Sequence, residues 1–454
     1  MDYKHMILRQ RAFFRTGTTK RVSYRKEQLT MMYRWICRNE KLILAALHRD
    51  LGKAPFEGYA TEIGIVKEEI KFTLKHLDQW AKSKFVPTPV TQFPARSFVY
   101  PEPYGVVLIM APWNYPFQLV TAPLIGAICA GNCAIIKPSA DAPNTSKVVA
   151  KMAADLFSEK YVAVIEGGRK ENEALLNEHF DYIFFTGSVN VGKYVMKRAA
   201  EHLTPVSLEL GGKSPCIVDE TADIKLAARR IVWGKLLNAG QTCIAPDYIL
   251  VHKSVKDKLV KQMVRIIDKM YGHDPCNNAE YPRIVNQKHF ERLNGLIEQS
   301  HVLKGGAVRR SGMRIEPTIV DQVTWESAVM QEEIFGPILP ILTFYDLDEA
   351  VRMVNAAPKP LALYYFTRDK DREAKILRSI SYGGGCINDT VVHVGTPHLP
   401  FGGVGSSGMS GYHGKASFDT FTHKKSIMKK SLLIDIPMRY APYRKKLRML
   451  RKIQ

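Results

Sequence analysis

Apolar positions recur every three or four residues along "RKEQLTMMYRWICRNEKLILAALHRDLG", residues 25–52. That is the spacing of one helix face, and the run stops at Gly52, a plausible C-cap. "PFEGYATEIGIVKEEIKFTLKHLDQWAKS" repeats it, so the first hundred residues read as mostly helical. The rhythm then changes. "YGVVLIMAP", "NCAIIKPS", "YVAVIEGG", "DYIFFTGS" and "SPCIVDE" are short, continuous apolar runs that end in Gly, Pro, Ser or acidic residues. Helical stretches such as "APNTSKVVAKMAADLF" and "VNVGKYVMKRAAE" lie between them. Continuous apolar strands alternating with helices predict a parallel sheet covered on both faces. Such sheets bind ligands beyond the carboxyl ends of their strands, which is where "APWN", "KPS", "EGG" and "FTGS" fall.

A second set of strands, "DYILVHK" and "PILPILTFYD", alternates with the helical "KDKLVKQMVRIIDKM" and "DLDEAVRMVNA". The fold class is therefore α/β, with a second unit running from about Glu209 to Thr396. The hinge is "SLELGGKSP", residues 207–215, and "LPFGGVGSSGMSGYHGK" is a long glycine-rich loop.

Composition narrows the classes. At 454 residues, with 46% hydrophobic and 24% charged residues, the chain can bury a large core without disulfides. Seven scattered cysteines with no CxxC pair argue against a zinc site and a disulfide framework, and for a reducing compartment. The basic first 26 residues lack the apolar centre of a signal peptide. The run Leu119–Ile136 holds Pro123, two glycines and Asn132, so it reads as buried core and not as a membrane span. The reading is cytoplasmic. Net charge is +21, and about half of the excess lies between Lys424 and Gln454. That tail is either a solvated helix face or a surface for phosphate or anionic lipid. No RNA-binding signature or zinc finger supports nucleic acid as a partner.

Candidate chemistry centres on "NAGQTCIAP", residues 238–246, where Cys243 sits in a polar loop. A nucleophilic thiol needs access and nearby oxyanion donors; loop amides supply donors, and a helix opening there would add a positive dipole end. The bland alternative is an inert loop cysteine. Glu209 lies in the apolar "SLELGG" and is either a desolvated general base or a partner of Lys213. Asn114 in "APWNYP" is an oxyanion donor or a turn former; Lys137 in "IIKPS" meets a ribose or phosphate, or is solvated. "FTGSVNVG" places Gly187 and Gly192 in a strand–turn–helix context suited to phosphate. "GVGSSG", Gly403–Gly408, matches GxGxxG without that context and reads as a flexible loop near a site. Of the adjacent acids Glu332 and Glu333, at most one points into a site.

Taken in order, "APWNYP", "KPS", "EGG", "FTGS", "LELGGKSP", "NAGQTCIAP", "EEIFGP" and "LPFGGVGSSGM" resemble the successive motifs of NAD(P)-dependent aldehyde dehydrogenases, from about residue 25 to 425. "YATEIGIV", "CIAPDY" and "GYHGK" resemble the class 3 branch, which oxidises medium- to long-chain and aromatic aldehydes and is usually dimeric.

The resemblance implies two doubly wound parallel-sheet domains and a small bridging, oligomerisation element. Residues 1–208 would be the Rossmann-like cofactor domain, with a bridging segment near 81–104. Residues 209–396 would be the catalytic domain, and 397–454 the glycine-rich active-site loop, a bridging strand and the basic tail. Cys243 would be the nucleophile, with the Asn114 amide and Cys243 N–H holding the oxyanion and Glu209 activating water. Lys137, Gly187, Ser188, Gly192, Glu333, Phe335 and Phe401 would hold NAD or NADP, with no metal. Tyr115, Leu119, Trp233 and Thr242 would flank an apolar substrate tunnel, which suits a neutral aldehyde better than a semialdehyde. Ala140 stands where the family commonly has Glu, which opens the site to NADP; Ser410 stands where Gly is common and bears on loop flexibility. The implied chain has no apolar C-terminal anchor, so at most a peripheral membrane contact. The rivals are a cofactor-free thioester hydrolase using Cys243 and Glu209, and a binding protein that kept the fold. Glu209 argues against an acyl-CoA-forming enzyme.

Overall fold

The computed structural model describes residues 2–443 and 446–453. The periodic N-terminal stretch forms helices Tyr3–Arg15, Val22–Arg38, Glu40–Leu51 and Gly64–Trp80, and Gly52 caps the third in a left-handed conformation. The apolar run that could have passed for a membrane span is helix Gln118–Ala130 followed by strand Cys133–Lys137, buried throughout. No helix among the described residues is long and apolar enough to cross a membrane.

Two α/β sheets follow. The first has six strands in the order Gly408–Met409, Val206–Leu210, Tyr182–Gly187, Val106–Met110, Cys133–Lys137, Val162–Val164; all are parallel except the first. Val106–Met110 and Cys133–Lys137 are buried along their whole length, as strands covered on both faces must be. The chain winds outward from Val106–Met110 on one side and returns to wind outward from Tyr182–Gly187 on the other. Their carboxyl ends flank the crevice where a doubly wound sheet binds its ligand.

The second sheet has seven strands in the order His301–Lys304, Thr318–Asp321, Ile338–Phe344, Tyr248–His252, Pro215–Val218, Ala362–Phe366, Gly384–Ile387; only the first is antiparallel. Strand Val206–Leu210 carries Glu209 on the first sheet, so the chain crosses between sheets at 211–214, two residues later than the 208/209 boundary read from the sequence. A three-stranded antiparallel sheet joins Lys84–Val86, Ala95–Pro103 and Thr422–Lys430, the last two paired from Thr422↔Pro103 to Lys430↔Ala95. It ties the segment before the first sheet to the chain's far end.

The glycine-rich loop packs closely on the first sheet at Gly408. Gly408 pairs with Glu209 at φ +139°, and a Cβ there would run into the Leu208 carbonyl. Close backbone packing, which glycine alone permits, pins the loop against the first sheet.

Candidate active site

Helix Ile224–Leu236 delivers the chain to the Cys243 loop. The loop reverses through three consecutive left-handed residues, Asn238 (φ 52°, ψ 35°), Ala239 (φ 51°, ψ 36°) and Gly240 (φ 76°). Such backbone costs about 1 kcal/mol or more per non-glycine residue, so its surroundings must hold it in place. Asn238 Nδ2 donates to the Asn114 carbonyl at 2.8 Å and to the Gln241 carbonyl at 3.1 Å. Gln241 Nε2 donates to the carbonyls of Asn238 and Arg283, both at 3.0 Å, and its Oε1 accepts from Val285 N–H. No helix opens at Cys243; the segment 241–247 is irregular and leads to strand Tyr248–His252, so the expected dipole end is absent.

Cys243 is partly accessible and lines a narrow cavity of about 80 Å³ together with Glu209, Tyr115, Leu119, Thr186, Thr242, Phe401 and Tyr412. The Tyr115 and Thr242 hydroxyls lie 2.6 Å apart. Burial first, then the charges of Glu333 and Glu209, push the Cys243 thiol up. Glu209 is 2% exposed, and neither carboxylate oxygen has a hydrogen-bond partner among the described residues. Burial holds its carboxyl well above the usual carboxylate range. The bridge to Lys213 that the sequence left open does not form: Lys213 Nζ goes to Asp247 and to the carbonyls of Val329 and Glu332.

Asn114, 2% exposed, follows strand Val106–Met110 and donates Nδ2 to the Gln241 carbonyl at 3.1 Å, which ties it to the cysteine loop. The inner cavity continues into an outer mouth of about 650 Å³ through Thr61, Ile65, Leu237, Val391 and Val394, which line both. Trp233 stands in that mouth and not beside the cysteine.

The residues read as cofactor-binding gather at the crevice of the first sheet and on the facing loop. Lys137 is buried, not solvated; its Nζ donates to the Pro138 carbonyl at 2.8 Å and the Gly167 carbonyl at 2.6 Å. Burial lowers its pKa, opposed by Glu171 and Glu166. Gly187 ends strand Tyr182–Gly187, Ser188 begins helix Val189–Ala200 without a side-chain cap, and Gly192 packs on Leu210, where a Cβ would collide. An uncapped helix start beside small residues suits a dinucleotide phosphate. Glu333 lies against Gly211, and burial, then Asp247, push its carboxyl up to about 8. Its neighbour Glu332 turns away to Arg292 at 3.1 Å. Phe335 (φ 50°) stands edge-on to Trp113, and Phe401 lies between His393, Tyr412 and the inner cavity. These donors and surfaces fit NAD(P). Among the described residues no cluster of acids, histidines or cysteines could hold a metal.

The aldehyde dehydrogenase family model matches residues 1–427. The chain belongs to the aldehyde dehydrogenase family. It is 52% identical over 443 residues to 4,4'-diaponeurosporen-aldehyde dehydrogenase of Staphylococcus aureus, covering 97% of this chain and 96% of that one. It is 44% identical over 427 residues to the dimeric NADP-preferring aldehyde dehydrogenase of Rattus norvegicus, covering 94% of each. The solved substrate-bound state of Staphylococcus aureus AldH superposes with a TM-score of 0.98 at 50% identity, covering 100% of this chain and 99% of that one. Class 3 members of mouse are among the relatives, as the branch-specific motifs implied. The chain is thus an NAD(P)-dependent aldehyde dehydrogenase that oxidises aldehydes to carboxylic acids.

Sequence reasoning missed Thr186 and Tyr412 in the inner cavity, and it missed Glu57, Lys53 and Glu62 beneath the cysteine loop. Tyr412 was visible only as part of "GYHGK". Glu57 and Glu62 lie on helical segments, and Lys53 in the short connection before them, at polar positions that look solvated.

Proposed function

We propose that this aldehyde dehydrogenase oxidises neutral apolar aldehydes, medium- to long-chain aliphatic or aromatic, through Cys243 and Glu209. One observation carries the reading: Cys243 shares a narrow cavity with an unpaired buried carboxylate, and that cavity opens into a wide, mostly apolar mouth. The mouth is lined by Phe56, Trp233, Leu237, Met270 and Val391, among others. Among the described residues no Lys or Arg lines either cavity, while Glu57, Glu68 and Glu280 line the outer one. A semialdehyde carboxylate would find no cation there.

Burial first, then Glu333 and Glu209, disfavour the thiolate, so the Cys243 proton passes to the Glu209 carboxylate that shares its cavity, and on to water, before attack. The thiolate adds to the aldehyde carbon, and the resulting oxyanion is held by the Asn114 amide and the Cys243 N–H. When bound, NAD(P) accepts the hydride whose loss turns the thiohemiacetal on Cys243 into a thioester. Glu209 then takes a proton from water, which attacks the thioester; the acid leaves and the thiol is restored. Lys137 and Glu333 would hold the two riboses, and Gly187, Ser188 and Gly192 would admit the phosphates. The first-sheet unit is the cofactor domain and the second the catalytic domain. Ala140 is exposed and brings no carboxylate to the ribose, so both NAD and NADP are accepted.

Likeness to the dimeric relative of Rattus norvegicus favours a homodimer, and the free cysteines suit a reducing compartment such as the cytoplasm. The tail presents Leu432, Leu433, Leu447 and Met449 to solvent beside Lys429, Lys430, Lys446 and Arg448, a surface suited to weak peripheral contact with anionic lipid. Nucleotide reduction with hexanal, benzaldehyde and succinic semialdehyde, each with NAD and NADP, tests the reading. The apolar aldehydes should give the higher kcat/KM, with activity lost in Cys243→Ala. A preference for the semialdehyde would overturn the substrate class, and ester hydrolysis with no redox signal would favour the hydrolase.

A further inference from the structure

We propose that Glu57 is a positioning residue that locks the cysteine loop in its left-handed form. The inference rests on Cys243 being the nucleophile. Asn238 is the first of the three left-handed residues before Cys243, and its N–H donates to Glu57 Oε1 at 2.7 Å. The two residues lie 181 positions apart in the chain, so this is a clamp across the fold and not local turn chemistry. Left-handed backbone at two consecutive non-glycine residues persists only where the surroundings over-determine it.

Glu57 belongs to a short segment that holds both walls of the reaction site. On that segment Lys53 Nζ donates to the Asn114 carbonyl at 2.9 Å and pairs with Glu62 Oε1 at 2.6 Å. Glu62 Oε2 accepts from the N–H groups of Phe117 and Gln118, at 2.8 and 3.2 Å, at the start of helix Gln118–Ala130. Asn238 Nδ2 donates to the same Asn114 carbonyl that Lys53 reaches. One side of this segment therefore sets Asn114 and the other sets the cysteine loop. Glu57 is also a wall of the outer mouth, so the clamp lies on the route a substrate takes.

The clamp carries its own pH dependence. Burial pushes the Glu57 carboxyl up to about 6, with Lys53 and the Asn238 N–H pulling it down and Glu62 pushing it up. The Tyr115 and Tyr271 hydroxyls also face it, and Glu68 and Glu280 share the mouth. A carboxylate accepts an N–H more strongly than a neutral carboxyl does. Ionised Glu57 grips the loop, and the grip weakens as pH falls through about 6.

The test compares Glu57→Ala, Glu57→Gln and Cys243→Ala with wild type, reading kcat and KM for hexanal across pH, with thermal unfolding as the control for folding. A displaced nucleophile costs rate more than affinity, so Glu57→Ala should lower kcat by about tenfold or more and leave KM nearly unchanged. Glu57→Gln keeps an acceptor oxygen; it should restore most of kcat at alkaline pH and lose the acid limb near pH 6. If Glu57→Ala does not fold, the acid limb of Glu57→Gln decides. An inactive Cys243→Ala beside a Glu57→Ala with wild-type kcat, or a Glu57→Gln that keeps the acid limb, overturns the role of Glu57 alone. An active Cys243→Ala removes the nucleophile and this inference with it.

Discussion

Two glutamates are buried equally deeply and treated in opposite ways. Glu62, fully buried, is satisfied on every side: Lys53 Nζ on one oxygen, the Phe117 and Gln118 N–H groups on the other. Glu209, 2% exposed, has no hydrogen-bond partner on either oxygen among the described residues. Folding tolerates a buried carboxylate easily when it is paired, and leaving one bare costs about 1–3 kcal/mol or more. The paired glutamate sets helix Gln118–Ala130 and, through Lys53, the Asn114 carbonyl. The bare one faces the cavity that holds Cys243. The contrast separates a strut from a reagent: the strut has its protons and charges arranged in advance, and the reagent has room for a proton to arrive and leave.

The comparison can be broken from its reactive end first. Cys243→Ala should lower aldehyde oxidation on the order of 10⁴-fold or more, as loss of a nucleophile does, measured as nucleotide reduction. Glu62→Leu leaves the Lys53 ammonium buried without its partner and should cost about 3–5 kcal/mol, read by denaturant unfolding. Glu209→Leu, the same substitution at the bare site, should act with the opposite sign and stabilise by about 1–3 kcal/mol while abolishing turnover. That gain has a pH dependence. The folded pKa of Glu209 is raised, so wild-type stability is full below the ordinary carboxylate value and falls as pH rises through the folded one. The advantage of Glu209→Leu should therefore widen with pH. The smallest effect concerns the loop over Glu209. Ser410 sits there at φ 75°, and Ser410→Gly should stabilise by roughly 0.5 kcal/mol in the same unfolding assay.

The bare glutamate was far more legible in the sequence than the paired one. Glu209 interrupts an apolar strand and meets two glycines, so local pattern alone marks it. Glu62 sits on a helix at a spacing that solvated acids also adopt, and its partners lie nine and 55 positions away. The strand–helix alternation exposed both parallel sheets because fully buried strands must be continuously apolar. The helix once expected at Cys243 does not form, because three left-handed residues carry the chain directly toward the next strand. In "NAG" Asn238 and Gly240 each tolerate a left-handed backbone, but nothing announces that Ala239 joins them in an unbroken run. The glycine loop looked mobile for a related reason: glycine marks both freedom and close contact, and only the Leu208 carbonyl beside Gly408 tells them apart.

Pre-steady-state kinetics of Glu209→Gln, with substrate in excess, tests the central claim most directly. If the bare carboxylate activates the water that releases the acid, the variant should give a burst of about one reduced nucleotide per active site, then turn over on the order of a hundredfold more slowly than wild type. Steady turnover at the wild-type rate, with no burst, would contradict the account.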